Sequence, residues 1–238
     1  MKKLSLLFTK DGLQWHISKG KTVLEEAFHF VTEETSPHLV EEKLDDVLKF
    51  DDYKEIEVIS ALNHFSLTPD SFAEHELGYK LISYNAPVDE ANEELMLSVN
   101  KKFAVQFYYT FPKHFYQKIK AKKLPTKFNF SGEKFLNALT VKNHKEIHIN
   151  LYHHQVEFFA FENKKVVLYN NLDADSEVDF LYFIMFSLSK INFGTAETHF
   201  HIYGETHENE TFISELRKFV KNIKVHFDNA PKKNFVLS

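Results

Sequence analysis

One pattern of residues occurs twice in this chain at a constant offset. LSLLFTKDGLQWHISKGKTVL, beginning at Leu4, lies without a gap over IHINLYHHQVEFFAFENKKVV, beginning at Ile147. Leu4 falls on Ile147, Leu6 on Ile149 and Phe8 on Leu151; beyond the turn, Leu13 falls on Val156, Trp15 on Phe158 and Val23 on Val166. Apolar residues alternate at period two in each arm, so each copy reads as a hairpin with one buried face, continued by a third strand. Asp11-Gly12 marks the first turn, because glycine tolerates positive φ. The second copy turns at His153-His154-Gln155. Two such meanders in register predict a duplicated domain.

The rest of the chain extends the duplication. In the first half, strands are expected over residues 3–9, 13–18 and 22–30. A helix follows with Ser36 as N-cap and Pro37 at its first position, carrying Leu39, Val40, Leu44, Val47 and Leu48 to about Phe50. Ile56–Ile59 reads as a strand, and Thr68-Pro69-Asp70 opens a turn and a helix through Leu81. Leu95–Val99 and Phe103–Thr110 are further strands. The second of these, FAVQFYYT, is apolar enough to be central. A helix from Phe111-Pro112 to about Lys123, a strand at Lys127–Phe130 and a helix opened by Ser131-Gly132-Glu133 complete this half.

In the second half a helix follows the three strands, running to about Lys190 and apolar nearly all round, which predicts cover on most sides. Asp173, Asp175, Glu177 and Asp179 stand at its start, where carboxylates complement free N–H groups and the helix dipole. Then come a strand at His199–Tyr203, a helix at Phe212–Val220, a strand at Ile223–Phe227 and a tail from Lys232 to Ser238. The order β-β-β-α-β-α-β is the ribonuclease-H-like plan, and two in tandem give the actin-like plan. The expected fold is therefore α/β, with two ribonuclease-H-like domains at residues 1–142 and 143–238. Each has a mixed five-stranded sheet with flanking helices, and residues 51–102 are inserted before the fourth strand of the first.

Composition narrows the function classes. An apolar fraction of 43% suffices for a real core. Cysteine is absent, which excludes disulfides, thiolate metal sites and cysteine nucleophiles and fits a reducing compartment. The formal charge is −5, and Arg217 is the sole arginine among 29 basic residues. Both features oppose direct nucleic-acid binding. The apolar start MKKLSLLF stops at Thr9-Lys10-Asp11, too short for a signal-peptide core. Phe180–Leu188 is about half a membrane span. A soluble, cytoplasmic protein is expected, with no membrane association.

Four short motifs carry a resemblance: Phe65-Ser66-Leu67-Thr68-Pro69, Asn170-Asn171-Leu172, Asp179-Phe180-Leu181-Tyr182-Phe183 and Tyr203-Gly204-Glu205. With the order of elements over about Leu4 to Phe227, they make the chain similar to a bacterial family known as domain of unknown function 3822. The resemblance implies an actin-like, two-lobed fold similar to the scaffold lobes of pilus and secretion assembly proteins. It implies no activity. Family members sit beside a ribosomal-RNA methyltransferase gene, so an accessory role in RNA modification is one reading of the resemblance.

Actin-like ATPases hold phosphates between two hairpin turns, using a carboxylate for Mg²⁺ or water and a run of backbone amides for the anion. The matching positions here are Thr9, Lys10, Asp11 and Gly12 in the first turn, and His153 and His154 in the second. Gly204 and Glu205 stand where active relatives place glycines against adenosine. These eight residues are the candidates for an inter-lobe cleft. The first turn has one Asp and one Gly and is tight; the second has neither. The favoured reading is a non-catalytic scaffold or protein-binding module with no cofactor, another protein being its partner. A divergent nucleotide-binding enzyme using ATP and Mg²⁺ is the alternative. The chain's 14 histidines include His199 and His201 on one strand face, with His148 and His153 on a possible neighbour. Scattered surface histidines are the favoured account, with no metal.

Overall fold

The computed structural model describes residues 2–30, 38–50, 52–72, 75–205, 210–226 and 235–237. The expected helix start at Thr35-Ser36-Pro37 lies outside them. Two compact units divide the chain: residues 1–137 with 236–238, and residues 138–235.

In the first unit, strands β1 (Lys2–Thr9), β2 (Gly12–Lys19) and β3 (Thr22–Phe30) form the antiparallel meander that period-two alternation dictates. Helix α1 (His38–Leu48) then crosses over to β4 (Tyr53–Ser60), which pairs parallel with β1. An inserted sheet follows, made of β5 (Phe65–Pro69), β6 (Glu93–Asn100) and β7 (Val105–Pro112), with a short helix α2 (Gly78–Ser83). Its order is β5-β7-β6, so β7 is indeed central. Helix α3 (Lys113–Lys120) leads back to β8 (Thr126–Phe130), parallel to β4, and α4 (Ser131–Ala138) closes the unit.

The second unit repeats this plan without the insertion. Strands β9 (Glu146–Leu151), β10 (Gln155–Glu162) and β11 (Lys165–Asp173) form the meander. Helix α5 (Glu177–Lys190), strand β12 (His199–Gly204), helix α6 (Glu210–Leu216) and strand β13 (Asn222–Val225) complete it. The two main sheets have the orders β3-β2-β1-β4-β8 and β11-β10-β9-β12-β13, which are the same order.

The duplication reaches the cores. Leu4, Leu6, Phe8, Leu13 and Ile17 pack with Val40, Leu44 and Ile119 in the first unit. Ile147, Ile149, Leu151, Val156 and Ala160 pack with Phe180, Ile184 and Leu216 in the second. In each unit one sheet face therefore receives the helices, and alternate residues face the other way.

Four expectations need correction. The fourth strand of the first unit is Tyr53–Ser60, and FAVQFYYT belongs to the inserted sheet, so the insertion follows the fourth strand instead of preceding it. Thr68 and Pro69 lie in β5, a strand paired with β7, and the helix beyond them starts only at Gly78. The chain end is not a loose tail over Phe235–Leu237: these residues form a 3-10 turn, Val236 and Leu237 are buried, and the His16 ring lies 3.1 Å from the Leu237 carbonyl. Helix α5 is not covered on most sides, because Val178, Tyr182 and Phe186 are 74%, 59% and 47% exposed. These three recur every four residues and so form one stripe, opposite buried Phe180, Ile184 and Leu188.

Candidate functional site

The turn between β1 and β2 holds two residues, Lys10 and Asp11, between the paired Thr9 and Gly12. Gly12 has φ +135°, which a side chain would disfavour. The Asp11 amide donates to Thr9 Oγ1 at 3.1 Å. Thr9 and Asp11 are buried, so the turn is folded onto itself. In the second unit, Tyr152 N donates to the Gln155 carbonyl at 2.9 Å, closing the turn that holds His153 and His154. The two histidine rings meet edge to face at 4.0 Å, and the His154 carbonyl accepts from Ala174 N.

Gly204 ends β12 beside this second turn. Its φ is +84°, and a Cβ there would overlap the Leu151 carbonyl and Asn150 Oδ1. Both facts require glycine for packing. The next amide, Glu205 N, donates to the Leu151 carbonyl at 2.9 Å. In the first unit Ala61 N makes the same bond to the Phe8 carbonyl at 2.8 Å. The fold thus brings Gly204 and Glu205 to the end of β9, next to the His153-His154 turn. Thr9, Lys10, Asp11 and Gly12 form the matching corner of the first unit.

A second group of residues lies on the non-helix face of the second sheet. Registry sets it: β9 and β12 run parallel with His148 opposite His201 and Glu146 opposite His199. Glu146 and His148, two apart on β9, share a face with His201. The rings of His148 and His201 stack at 4.5 Å and 9°. His148 Nε2 lies 3.3 Å from Glu146 Oε2, and His201 Nε2 lies 3.6 Å from Glu146 Oε1. The opposite ring nitrogens are held as well. His148 Nδ1 is 3.2 Å from the Tyr203 hydroxyl, and His201 Nδ1 is 3.1 Å from His226 Nε2. Glu146 and His148 are fully buried, and His201 is 16% exposed.

The electrostatics of this group follow from its packing. Burial pushes the Glu146 carboxyl up, but the His148 hydrogen bond, the Lys142 amide at 2.9 Å and the charges of His148 and His201 outweigh it, leaving a pKa of about 2. Burial and the neighbouring His148 bring the His201 imidazole down to about 4, against the pull of Glu146. Burial also raises the Tyr203 phenol and lowers His226. The group brings one carboxylate and two imidazoles together, a donor set that suits a divalent cation.

Sequence reasoning placed His148 and His201 on adjacent strands but read the histidines as scattered over the surface. His148 is buried and His201 only partly exposed, so these two depart from that reading. It missed Glu146, His226 and Tyr203. His199 lies at the Glu146 register position, and His153 stands in the turn beyond the other end of β9. Deeper along the same face, Glu157 is fully buried and accepts from Asn150 Nδ2 at 3.1 Å, Tyr152 OH at 2.9 Å and Tyr169 OH at 2.6 Å. At the start of α5 the cap is a serine and not one of the expected acids: Ser176 Oγ accepts from Asp179 N at 3.2 Å and donates to Asp179 Oδ2 at 2.7 Å, with Glu177 and Asp179 in the first turn.

Residues 1–223 match the family described as Protein of unknown function (DUF3822). A search of curated proteins found no match. Among solved structures, a Bacteroides thetaiotaomicron protein with an actin-like ATPase fold and unknown function superposes with a TM-score of 0.84 at 19% identity, covering 99% of this chain and 93% of that one. The PilM–PilN type IV pilus biogenesis complex is similar at 0.62 and 10% identity, covering 94% and 88%. The cytoplasmic domain of EpsL, an inner-membrane component of the Vibrio cholerae type II secretion system, gives 0.52 and 8%, covering 95% and 86%. The fold is thus the actin-like one, two ribonuclease-H-like sheets with an insertion in the first. No helix among the described residues is long and apolar enough to cross a membrane.

Proposed function

We propose that this chain, which belongs to the DUF3822 family, is a non-catalytic scaffold of the bacterial cytoplasm that binds another protein instead of a nucleotide. The closure of both hairpin turns carries this reading. A phosphate cradle needs consecutive amides pointing into an open loop. Here the Asp11 amide is spent on Thr9 Oγ1 within a two-residue turn, and the Tyr152 amide is spent on Gln155. Opening either turn would break the strand pairing beside it.

The protein-binding half of the reading draws on α5. Val178, Tyr182 and Phe186 form an exposed apolar stripe, and the rings of Tyr182 and Phe186 stack at 5.7 Å. Rigid, exposed aromatic residues of this kind anchor protein interfaces. The occurrence of a similar fold in a PilM–PilN complex supports the same use.

The test is capture by the tagged full chain from extract of its own host, alongside Tyr182→Lys and Phe186→Lys variants of unchanged melting temperature. A single protein retained by the wild type and lost by both variants is the expected result. Equal retention by the variants would remove α5 from the interface, and no retained protein would contradict the scaffold reading.

A further inference from the structure

We propose that Glu146, His148 and His201 form a binding site for one divalent transition-metal ion, with zinc as the cation of best fit. This inference stands apart from the protein-binding reading. Three observations carry it. The first is convergence. One donor atom from each residue lies within 4.8 Å of the other two. The 3.3 and 3.6 Å separations of the imidazole nitrogens from the carboxylate oxygens bracket the edge of a zinc tetrahedron, about 3.4 Å for bonds near 2.05 Å. Seating the ion requires the two imidazoles, stacked 4.5 Å apart at 9°, to turn their Nε2 atoms toward one point.

The second is orientation. His148 Nε2 is hydrogen-bonded to the carboxylate and His201 Nε2 lies 3.6 Å from it, while Nδ1 of each is held by another side chain, Tyr203 for His148 and His226 for His201. Metal-ligating histidines are oriented in this way, the outer nitrogen bonded so that the inner one presents its lone pair. The Tyr203 hydroxyl can donate to a bare imidazole and accept from a metal-bound one.

The third is a carboxylate oxygen left without a hydrogen bond. Glu146 Oε1 is buried with no hydrogen bond of good geometry. The His144 ring approaches it at 3.0 Å without proper alignment. At the same register in the first unit stand Lys3, Ser5 and Glu57, and the Lys3 ammonium lies 2.6 Å from Glu57. The first unit thus meets its buried carboxylate with lysine. In the second unit the nitrogens nearest the carboxylate belong to imidazoles and the Lys142 amide, and a bound cation would do the work of Lys3. His201 is partly exposed and gives the ion a route from solvent, and water completes the fourth position.

Full-length protein would be stripped with a chelator, then titrated with Zn²⁺ against a colorimetric indicator and with Co²⁺ by visible absorption. The expected result is one equivalent of Zn²⁺, the intense visible bands of four-coordinate cobalt, and a rise in melting temperature on adding Zn²⁺. His148→Ala and His201→Ala should abolish stoichiometric uptake, and Tyr203→Phe should weaken it by about tenfold. Failure of the folded wild type to take up one equivalent of either ion overturns the proposal, whatever the variants do. So does uptake unchanged by both histidine substitutions, which would place the metal elsewhere.

Discussion

The same sheet position has been built twice in this molecule with different chemistry. In the first unit Ser5 faces Glu57 across β1 and β4, Lys3 reaches Glu57, and Asn129 donates to it at 2.7 Å. In the second unit His148 faces His201 across β9 and β12, Glu146 takes the place of Lys3, and His226 takes the place of Asn129. Backbone register is common to both, and so is the apolar face beneath. The sheet therefore specifies where side chains meet and leaves open what they are. One unit resolves the position as a structural ion pair with Lys3 and Lys134; the other collects imidazoles around a carboxylate.

The contrast can be broken by mutation. The largest effect belongs to Glu157, where Ala would strand three buried donors. Urea denaturation should show a loss of about 4 kcal/mol. Glu57→Ala should cost less, about 2 kcal/mol, because Lys3 and Lys134 can turn toward water and only Asn129 is left stranded. Equal losses would erase the distinction between the two faces. Gly204→Ala comes next, at about 3 kcal/mol, from the positive φ and the overlap with Leu151. Ser60, its counterpart on β4, should tolerate Ala at about 1 kcal/mol.

How far the sequence foretold these features depends on which forces shaped them. The meanders were legible because alternation over β1–β2 and β9–β10 follows from a two-sided sheet with one apolar face. Strand β4 was misplaced because Tyr53–Ser60 carries Lys54, Glu55 and Glu57, while FAVQFYYT is far more apolar. Nothing local announces that Glu57 is buried, since Lys3, Asn129 and Lys134, which make that possible, are remote in sequence. For the Glu146–His148–His201 group the sequence placed the two histidines on neighbouring strands but gave neither their burial nor the part of Glu146. His201 meets the other two only through the register of β9 and β12, which the intervening crossover sets. The exposed stripe on α5 was hidden by composition, because Tyr182 and Phe186 look like core residues until their neighbours are known.

Two smaller effects sharpen the comparison. Ser176→Ala removes the α5 cap and should cost about 1 kcal/mol, read from the melting temperature. The smallest concerns pH. Burial raises the Glu57 carboxyl, but the Lys3 and Lys134 interactions more than offset this and hold it below the ordinary 4.5. Its folded value is depressed, so its stabilisation is complete above pH 4.5 and is lost as pH falls through that lower folded value. Stability profiles of wild type and Glu57→Gln should accordingly converge on acidification below pH 4.5. Parallel profiles would show that the lysines contribute nothing there.

The proposed scaffold role requires that the actin-like fold be kept while both hairpin turns stay closed to phosphate. It is tested most directly by the melting temperature of the full chain with and without millimolar ATP or ADP and Mg²⁺. A ligand bound only by the folded state must raise it by mass action. No shift with either nucleotide is predicted. A saturable rise, abolished by substitution at Asp11 or Gly204, would contradict the account and restore the nucleotide-binding reading.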